Sequence, residues 1–550
     1  MARKLFIVWF FLAGSFAIAQ HQHAAAAKAA ATPAATTLLP GMGNAHHAVS
    51  TTNPMAQKYF DEGLNLIYAF NHDEAEKAFA RASQLDPDLA MAQWGIALAV
   101  GPNYNLPVDE AREIQAYEAI QKALKMKAPP QERAYIEALS KRYVSDPHGK
   151  DLKPLDVAYR DAMRGLSEQY PDDLDAATLF AESGMNINPW KLHHADGTMA
   201  EGTEEIITTL ESVMRRDPNH MGAIHYYIHA VEASNTPERA LEPAGRLAAL
   251  APGAGHLVHM PAHIYIRTGD FQNAAATNEK AVAADNAYIK ESGTTKGIYP
   301  SMYYAHNVHF MAMAYSMQGQ YALAIQRARD LTAWSDKYVQ DMPMMQGFLA
   351  IEPLVLVRFH KWDEILKQPS PTTTDLRSLN MHFARALAYA AKKDMANADK
   401  EKEAFEAVRE KIPTDIPVSP VRNLSGQVME VTDHFLAARL ADAAGNKDAA
   451  LQHWKEAVMS EDKLFYAEPR DFFIPVREAL GAALYQAGDY AGAEKAFRED
   501  LANNHRNGRS LFGLAASLKA QHKDYDAAFV QKQFDEAWKR ADTKLSMGDL

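Results

Sequence analysis

Seven histidines with helical spacing are the feature of this sequence that most clearly suggests chemistry. They lie in the segments HYYIH, HLVHMPAH and HNVH, as His225 and His229, as His256, His259 and His263, and as His306 and His309. Separations of three, four and seven residues place side chains on one face of an α-helix. A set with spacing i, i+3, i+7 spans about 10 Å along its helix, so imidazoles from neighbouring helices can meet at one ion. The pattern predicts a transition-metal site.

The absence of cysteine narrows the chemistry of that site. In a chain of 550 residues without cysteine, a metal has to be held by histidine, carboxylate or methionine. Histidine nitrogens favour zinc or copper, with iron as a third candidate, and methionines close to the histidines tilt the choice toward copper: Met260, Met302, Met311 and Met313. Seven histidines exceed what one tetrahedral ion needs. Two ions, or one ion with histidines left for acid–base chemistry, are both open.

Glu232 shares the helical face of His225 and His229. Four roles are open to it: metal ligand, bridge between two ions, hydrogen-bonded support of a histidine, or general base toward a metal-bound water. The last role makes Glu232 the candidate catalytic residue.

A repeat of 34 residues supplies helices that can position these side chains. The segment GLNLIYAFNHDEAEKAFARASQLDPDL has its marker residues at repeat positions 8, 20, 24, 27 and 32: Gly63, Ala75, Phe79, Ala82 and Pro87. The segment REALGAALYQAGDYAGAEKAFRED has them at positions 7, 8, 15, 17, 20 and 24: Leu480, Gly481, Gly488, Tyr490, Ala493 and Phe497. Small residues at positions 8 and 20 let two amphipathic helices, A and B, pack closely. Neither helix buries its apolar stripe alone, so the pairs must stack.

These markers resemble the tetratricopeptide repeat (TPR) superfamily over nearly the whole chain after the leader. The resemblance implies an all-α fold: a TPR helix-turn-helix solenoid, or superhelix, with a concave groove, over residues 56–550. The segments HYYIHAVEAS, HMPAHIYIRTG and YYAHNVHF resemble a narrower family of exported bacterial TPR proteins. That second resemblance supplies no activity.

The repeat register places the histidines at equivalent positions. In TPR proteins, positions 2, 5, 9 and 12 of helix A line the concave groove, and in the repeats at about 221–330 these positions hold His225, His229, Glu232, His256, His259, His263, His306, His309 and Met313. Seven of the nine residues at positions 2, 5 and 9 are histidine, whereas a frequency of 22 in 550 would give about 0.4. The resemblance therefore implies that they face one cavity. A metal-free cluster that binds an anion below about pH 6, and a purely structural cluster, are the alternatives.

Weaker candidates lie around the cluster. Glu182 occupies position 9 of the preceding repeat, on the same predicted wall, and Met313 lies close to the histidines. Two insertions, NPWKLHHADGTMAEG and one within AYIKESGTTKGIYPSMYY, are candidate lids. The first brings His193, His194 and Trp190 near the predicted site.

The N-terminus predicts export. MARKLFIVWFFLAGSFAIAQ has a basic start, an apolar run and an A-x-A signal, which predicts a signal peptide at residues 1–19. The Ala/Thr/Pro-rich residues 20–55 are predicted to be a disordered leader. We therefore expect a periplasmic or secreted protein, soluble after cleavage and without membrane insertion. The net charge of −12 becomes −14 without Arg3 and Lys4, which argues against a nucleic-acid partner.

Two classes of function remain, because motifs for nucleotide binding and for known hydrolases are missing from the sequence. A binding protein would hold a peptide, a protein or a small-molecule ligand in the groove, with metal as anchor or cargo. A metal-dependent enzyme would activate water for hydrolysis with zinc, or oxidise a substrate with a copper or iron pair. The sequence chooses neither class and does not give the oligomeric state.

Overall fold

The computed structural model describes residues 35, 37–342, 345–418 and 423–550. The helices of its first half are α1 (Pro54–Tyr68), α2 (His72–Leu85), α3 (Ala90–Val100), α4 (Glu110–Lys125), α5 (Pro130–Leu139), α6 (Lys153–Gln169), α7 (Leu174–Ile187), α8 (Thr203–Arg216), α9 (Met221–Val231), α10 (Leu241–Leu250), α11 (Gly255–His259), α12 (Pro261–Arg267) and α13 (Phe271–Ser292). The second half has α14 (Tyr304–Met317), α15 (Tyr321–Ser335), α16 (Gln346–Leu349), α17 (Ile351–Arg358), α18 (Trp362–Lys367), α19 (Leu376–Ala391), α20 (Met395–Arg409), α21 (Ser425–Ala443), α22 (Lys447–Glu461), α23 (Val476–Gln486), α24 (Tyr490–Asn503), α25 (Gly508–Ala520) and α26 (Asp524–Trp538). The predicted signal peptide lies outside the described residues.

The helices pack as the repeat predicts. Phe79 on α2 is fully buried, and a Cβ added to Gly63 on α1 would lie 2.6 Å from its ring. A Cβ added to Gly95 on α3 would lie 2.3 Å from the same ring. One aromatic residue of a B helix therefore fills the space left by glycines on two successive A helices. Because α1 also contacts α3, and α7 contacts α9, the pairs stack in sequence, and the predicted TPR fold is confirmed.

The all-α prediction is confirmed as well. In the ranges that the structure describes, β-type pairing is confined to isolated bridges such as the one between His193 and Met199. Among these residues, none of the helices combines the length and the apolar character that a membrane-spanning segment needs.

Two hydrophobic cores meet at the histidine-bearing helices. Met260 and Ile264 belong to the core of the first half, whereas Ala262 and Ile266 belong to the core of the second half. Pro261 is the first residue of α12, and Met260, the one residue between α11 and α12, keeps right-handed helical dihedral angles. The interruption follows from the missing amide hydrogen of proline and lies at the junction of the two cores.

The two predicted insertions are built differently. Residues 188–202 form an irregular segment between α7 and α8, as the sequence indicates. The second insertion is absorbed mainly by helix, because α13 continues for 22 residues to Ser292 and a π-helical turn, Tyr299–Tyr303, precedes α14.

Part of the predicted leader contacts the repeats. His47 Nδ1 lies 2.8 Å from Asp175 Oδ2 on α7, and Ser50 Oγ donates to Glu132 Oε2 on α5 at 2.7 Å. Met42 is buried in the core of the first half. Residues 38–53 therefore pack on the folded chain, in contrast to the disorder expected for 20–55, because polar groups of α5 and α7 hold them.

The packing of B-helix aromatic residues leads to a prediction about stability. Phe497 on α24 is fully buried between Gly481 and Gly513, so Phe497→Ala should lower the free energy of unfolding by about 3–5 kcal/mol. Phe529→Ala, at a side chain 60% exposed, should change it by less than about 0.5 kcal/mol. Denaturant unfolding of both variants measures the difference. Equal losses would contradict the assigned packing.

Candidate metal centre

The histidines form two groups of three inside the helical stack. Set one consists of His225 and His229 on α9 and His256 on α11; set two consists of His259 on α11, His263 on α12 and His306 on α14. Within each set, one ring nitrogen of every residue lies within 4.8 Å of the others. Five of the six residues are at most 2% exposed, and His306 is partly exposed. The histidines expected to line a groove are therefore mostly interior, and set two has the more accessible edge.

In set one, the two nitrogens of the His225 and His229 rings have different roles: Nδ1 donates a hydrogen bond and Nε2 keeps its lone pair. His225 Nδ1 lies 2.6 Å from the carbonyl oxygen of Tyr68, and His229 Nδ1 lies 3.0 Å from Glu232 Oε1. Both oxygens are acceptors, so Nδ1 carries the proton and Nε2 keeps a lone pair. His225 Nε2 lies 3.1 Å from His256 Nε2, and His229 Nε2 and His256 Nδ1 are buried without a hydrogen-bond partner. Such a division is typical of metal-ligating histidines.

In set two, Nδ1 again faces an oxygen acceptor in two of the histidines. His259 Nδ1 lies 2.7 Å from Asn278 Oδ1, and the orientation of the Asn278 amide follows from its Nδ2, which donates to the Ala274 carbonyl at 2.8 Å. His263 Nδ1 lies 2.7 Å from Glu232 Oε2. Both histidines therefore carry hydrogen on Nδ1, and their Nε2 atoms face each other at 2.8 Å.

Two Nε2 atoms at that distance have a cation between them, either a proton or a metal ion, because two lone pairs alone would repel each other. Nitrogens bound about 2.0–2.1 Å from one metal ion lie about 2.9 Å apart at a right angle and about 3.3 Å apart in a tetrahedron. The Nε2–Nε2 distances of 2.8 Å between His259 and His263, and of 3.1 Å between His225 and His256, are close to this range. A shared proton is the other cation that satisfies the His259–His263 pair.

Glu232 joins the two sets. Its Oε1 accepts from His229 of set one, and its Oε2 lies against His263 of set two, in ion-pair contact but poorly aligned for a hydrogen bond. The Arg267 guanidinium donates to the Glu232 backbone carbonyl at 3.0 Å. Glu468, between α22 and α23, adds a second carboxylate 3.3 Å from His263 Nδ1. The sequence analysis missed Glu468, because no repeat position or motif relates it to the histidines.

Aromatic rings enclose both sets. The nearest centroid pairs are Phe70 to His225 at 4.5 Å, Tyr303 to His256 at 4.6 Å, Phe310 to His259 at 4.6 Å, Tyr104 to His229 at 5.2 Å and Trp190 to His229 at 5.5 Å. Trp190 belongs to the inserted segment after α7. This enclosure removes water from the imidazoles and strengthens electrostatic interactions among them.

Burial and mutual proximity set the charges of the cluster. Burial, with the neighbouring imidazoles, lowers the pKa of His225, His256 and His259 well below the usual histidine value. Burial also lowers the pKa of His263, but the Glu232 carboxylate outweighs it and raises that pKa to about 10. Burial raises the pKa of Glu232, and the facing histidines outweigh it and lower that pKa to about 2. Neutral imidazoles are the form that binds metal, so a metal ion in set two would have to displace the proton that His263 holds in the metal-free protein.

His309 and Met313 lie outside both sets, although the sequence analysis placed them at the site. The His309 ring contacts Phe348 with centroids 5.6 Å apart, and burial lowers its pKa to about 3. Met313 is buried in the core of the second half. Their repeat positions are equivalent to those of other cluster residues, but α14 points them toward neighbouring apolar residues.

The weaker candidates occupy other surroundings. Glu182 is buried, accepts from Asn186, and has its pKa raised by burial to about 7. His193 Nε2 lies 2.8 Å from the Ala230 carbonyl and ties the inserted segment to α9. His194 is exposed. Of the three residues considered as a cap, Trp190 is the one in contact with a histidine of the cluster.

The known proteins that this chain resembles are distant, and the likeness is one of structure. No protein-family model matches the chain, and no curated protein matches it. Similar solved structures include a human IFIT1 dimer with m7Gppp-AAAA, with 12% identity, 90% of this chain and 92% of that chain covered, and a TM-score of 0.33. Yeast Tom70 has 13% identity, with 89% of this chain and 92% of that chain covered, and a TM-score of 0.30. The packing of the helix pairs, independently of these likenesses, identifies the fold.

The lowered pKa values predict acid sensitivity of the metal-free protein. The unfolded chain takes up protons on His225, His256 and His259 near pH 6.5, whereas the folded chain keeps these three neutral to lower pH. Stability should be fully present above pH 6.5 and fall below it, by up to about 1.4 kcal/mol per pH unit for each such histidine. Melting temperatures of chelator-treated protein at pH 7, 6 and 5 test this. A melting temperature that stays constant or rises toward pH 5 would contradict it.

Proposed function

We propose that this chain is a metal-binding repeat protein whose six histidines in sets one and two hold a pair of transition-metal ions, zinc or copper. The observation that carries the proposal is the convergence of three imidazoles in each set, with one ring nitrogen of every residue within 4.8 Å of the others. Three nitrogens per set suit an ion that keeps one further position for water or substrate. Iron is a third candidate metal.

The position of Glu232 favours a supporting role over that of general base. Both of its oxygens already face histidine Nδ1 atoms, one in each set. A carboxylate placed in this way fixes ring orientation and raises the basicity of the ligating nitrogens. It also supplies negative charge that offsets the charge of the bound ions.

Enclosure of the centre favours a metal-dependent enzyme that acts on a small molecule. A peptide cannot reach histidines that are at most 2% exposed, whereas His306 gives set two a partly exposed edge. When bound, zinc would supply an activated water for hydrolysis, and a copper pair would supply redox chemistry. The chain's own residues would orient the ligands and exclude bulk water.

A binding protein is the second candidate, and the location of the centre supports it. The histidine-bearing helices lie where the two hydrophobic cores meet, so bound metal would join the two halves and stiffen a surface for a peptide, a protein or a small-molecule ligand. In this case the metal is structural. We place either activity outside the cytoplasm, in the periplasm or secreted, because the N-terminal sequence is typical of a signal peptide.

The number of bound ions should differ between variants at histidines of the two sets and a variant at His309. Wild-type protein loaded with zinc or copper and desalted should retain two ions per chain, and His259→Ala should lower that content because it removes a ligand of set two. His309→Ala is the matched control, since His309 is a buried histidine outside both sets, and it should retain the wild-type content. Elemental analysis measures all three proteins. A metal-free wild type, or equal loss in both variants, would contradict the proposal.

Glu232→Gln tests the supporting role. Glutamine offers one acceptor oxygen where the carboxylate offers two, so one histidine loses its support and metal affinity should fall about 10- to 100-fold. Glu182→Gln is the control, because Glu182 is also a buried carboxyl group but contacts neither set. Competition with a chromophoric chelator measures both affinities. Unchanged affinity in Glu232→Gln would instead favour the general-base role, in which turnover alone falls by about 10² to 10⁴.

A further inference from the structure

A second group of metal-ligating side chains lies far along the chain from the buried centre. His434 is on α21, and His453 and Glu456 are on α22, the helix that pairs with it. His453 and Glu456 are three residues apart and share a helical face. One donor atom from each of the three residues lies within 4.8 Å of the other two. The two paired helices thus bring a His₂Glu set together.

The donor atoms converge on one carboxylate oxygen. Glu456 Oε2 lies 3.1 Å from His434 Nδ1 and 3.0 Å from His453 Nδ1. Donor atoms bound about 2.0–2.1 Å from a zinc ion lie about 3 Å apart. The separations present in the structure therefore suit one ion, with only small side-chain adjustments.

The surroundings of Glu456 hold it in place for such a role. Gln452 Nε2 donates to Glu456 Oε1 at 2.9 Å, which leaves Oε2 to the histidines. Hydrogen-bonded support of a ligating carboxylate is characteristic of protein metal sites.

We propose that His434, His453 and Glu456 form an exchangeable zinc site on the surface of the α21–α22 pair. The side chains are 29%, 36% and 28% exposed, so water reaches the site and completes a four-coordinate ion. Three protein ligands with one open position are the arrangement of accessible zinc sites. The ion links two antiparallel helices and exchanges with solution, unlike ions enclosed by the buried histidines.

Zinc titration of the full-length protein tests the proposal. The protein is first saturated at the buried centre, desalted and analysed for metal, and then titrated with zinc chloride at pH 7.5 by calorimetry. We expect one further equivalent, weakened at least about tenfold in His434→Gln and in His453→Gln. His148→Gln is the control, because His148 is an exposed histidine that pairs with Glu110 and belongs to none of the candidate metal-binding groups among the described residues. This variant should bind zinc as the wild type does.

The outcomes are decisive in both directions. All substitutions are at side chains that reach solvent, and circular dichroism checks that each variant keeps the helical fold. A further equivalent that both His434→Gln and His453→Gln lose, and that His148→Gln keeps, supports the site. A wild type that takes up no further zinc, or variants that bind it unchanged, overturns the proposal and leaves a His–Glu–His hydrogen-bonded group. The metal content of the buried centre is measured separately, so its failure would be distinguishable.

Discussion

Electrostatic repulsion between buried imidazole nitrogens is the constraint on which this structure depends. His259 Nδ1 faces Asn278 Oδ1, His263 Nδ1 faces Glu232 Oε2, and the two Nε2 atoms lie 2.8 Å apart. Because the pKa of His263 is raised to about 10, its Nε2 proton lies between the two rings in the metal-free protein. Burying polar groups without a partner costs several kcal/mol. The chain nevertheless concentrates six histidines here and surrounds them with aromatic rings. A metal ion bound among them would turn this cost into a favourable interaction.

The candidate metal centre lies where helices α9, α11, α12 and α14 meet. The short helices α11 and α12 carry residues of both hydrophobic cores. They also supply both sets, since His256 belongs to set one, and His259 and His263 belong to set two. Glu232 connects the sets through its two oxygens. Metal binding would therefore couple the folding of the two halves, because each half would contribute ligands.

Sequence periodicity predicted the helix pairs and the histidine face, since both follow from local spacing. Gly63 and Phe79 occupy their expected repeat positions and pack as expected. The division into two sets did not follow from spacing, because the packing of α9, α11, α12 and α14 decides which histidines meet. Helix α11 alone supplies His256 to set one and His259 to set two. His309 shares a register position with His259 yet packs on Phe348. Glu468 comes from a distant segment without regular structure, and tertiary packing alone brings it to His263.

Anomalous X-ray diffraction from crystals of metal-loaded protein tests the central claim most directly. Data collected on both sides of the zinc or copper absorption edge locate each ion without assumptions about its ligands. We predict two anomalous peaks inside the cluster, one about 2.0–2.1 Å from nitrogens of His225, His229 and His256, the other at the same distance from nitrogens of His259, His263 and His306. Cluster density without an anomalous peak, in protein that carries metal elsewhere, would contradict the account.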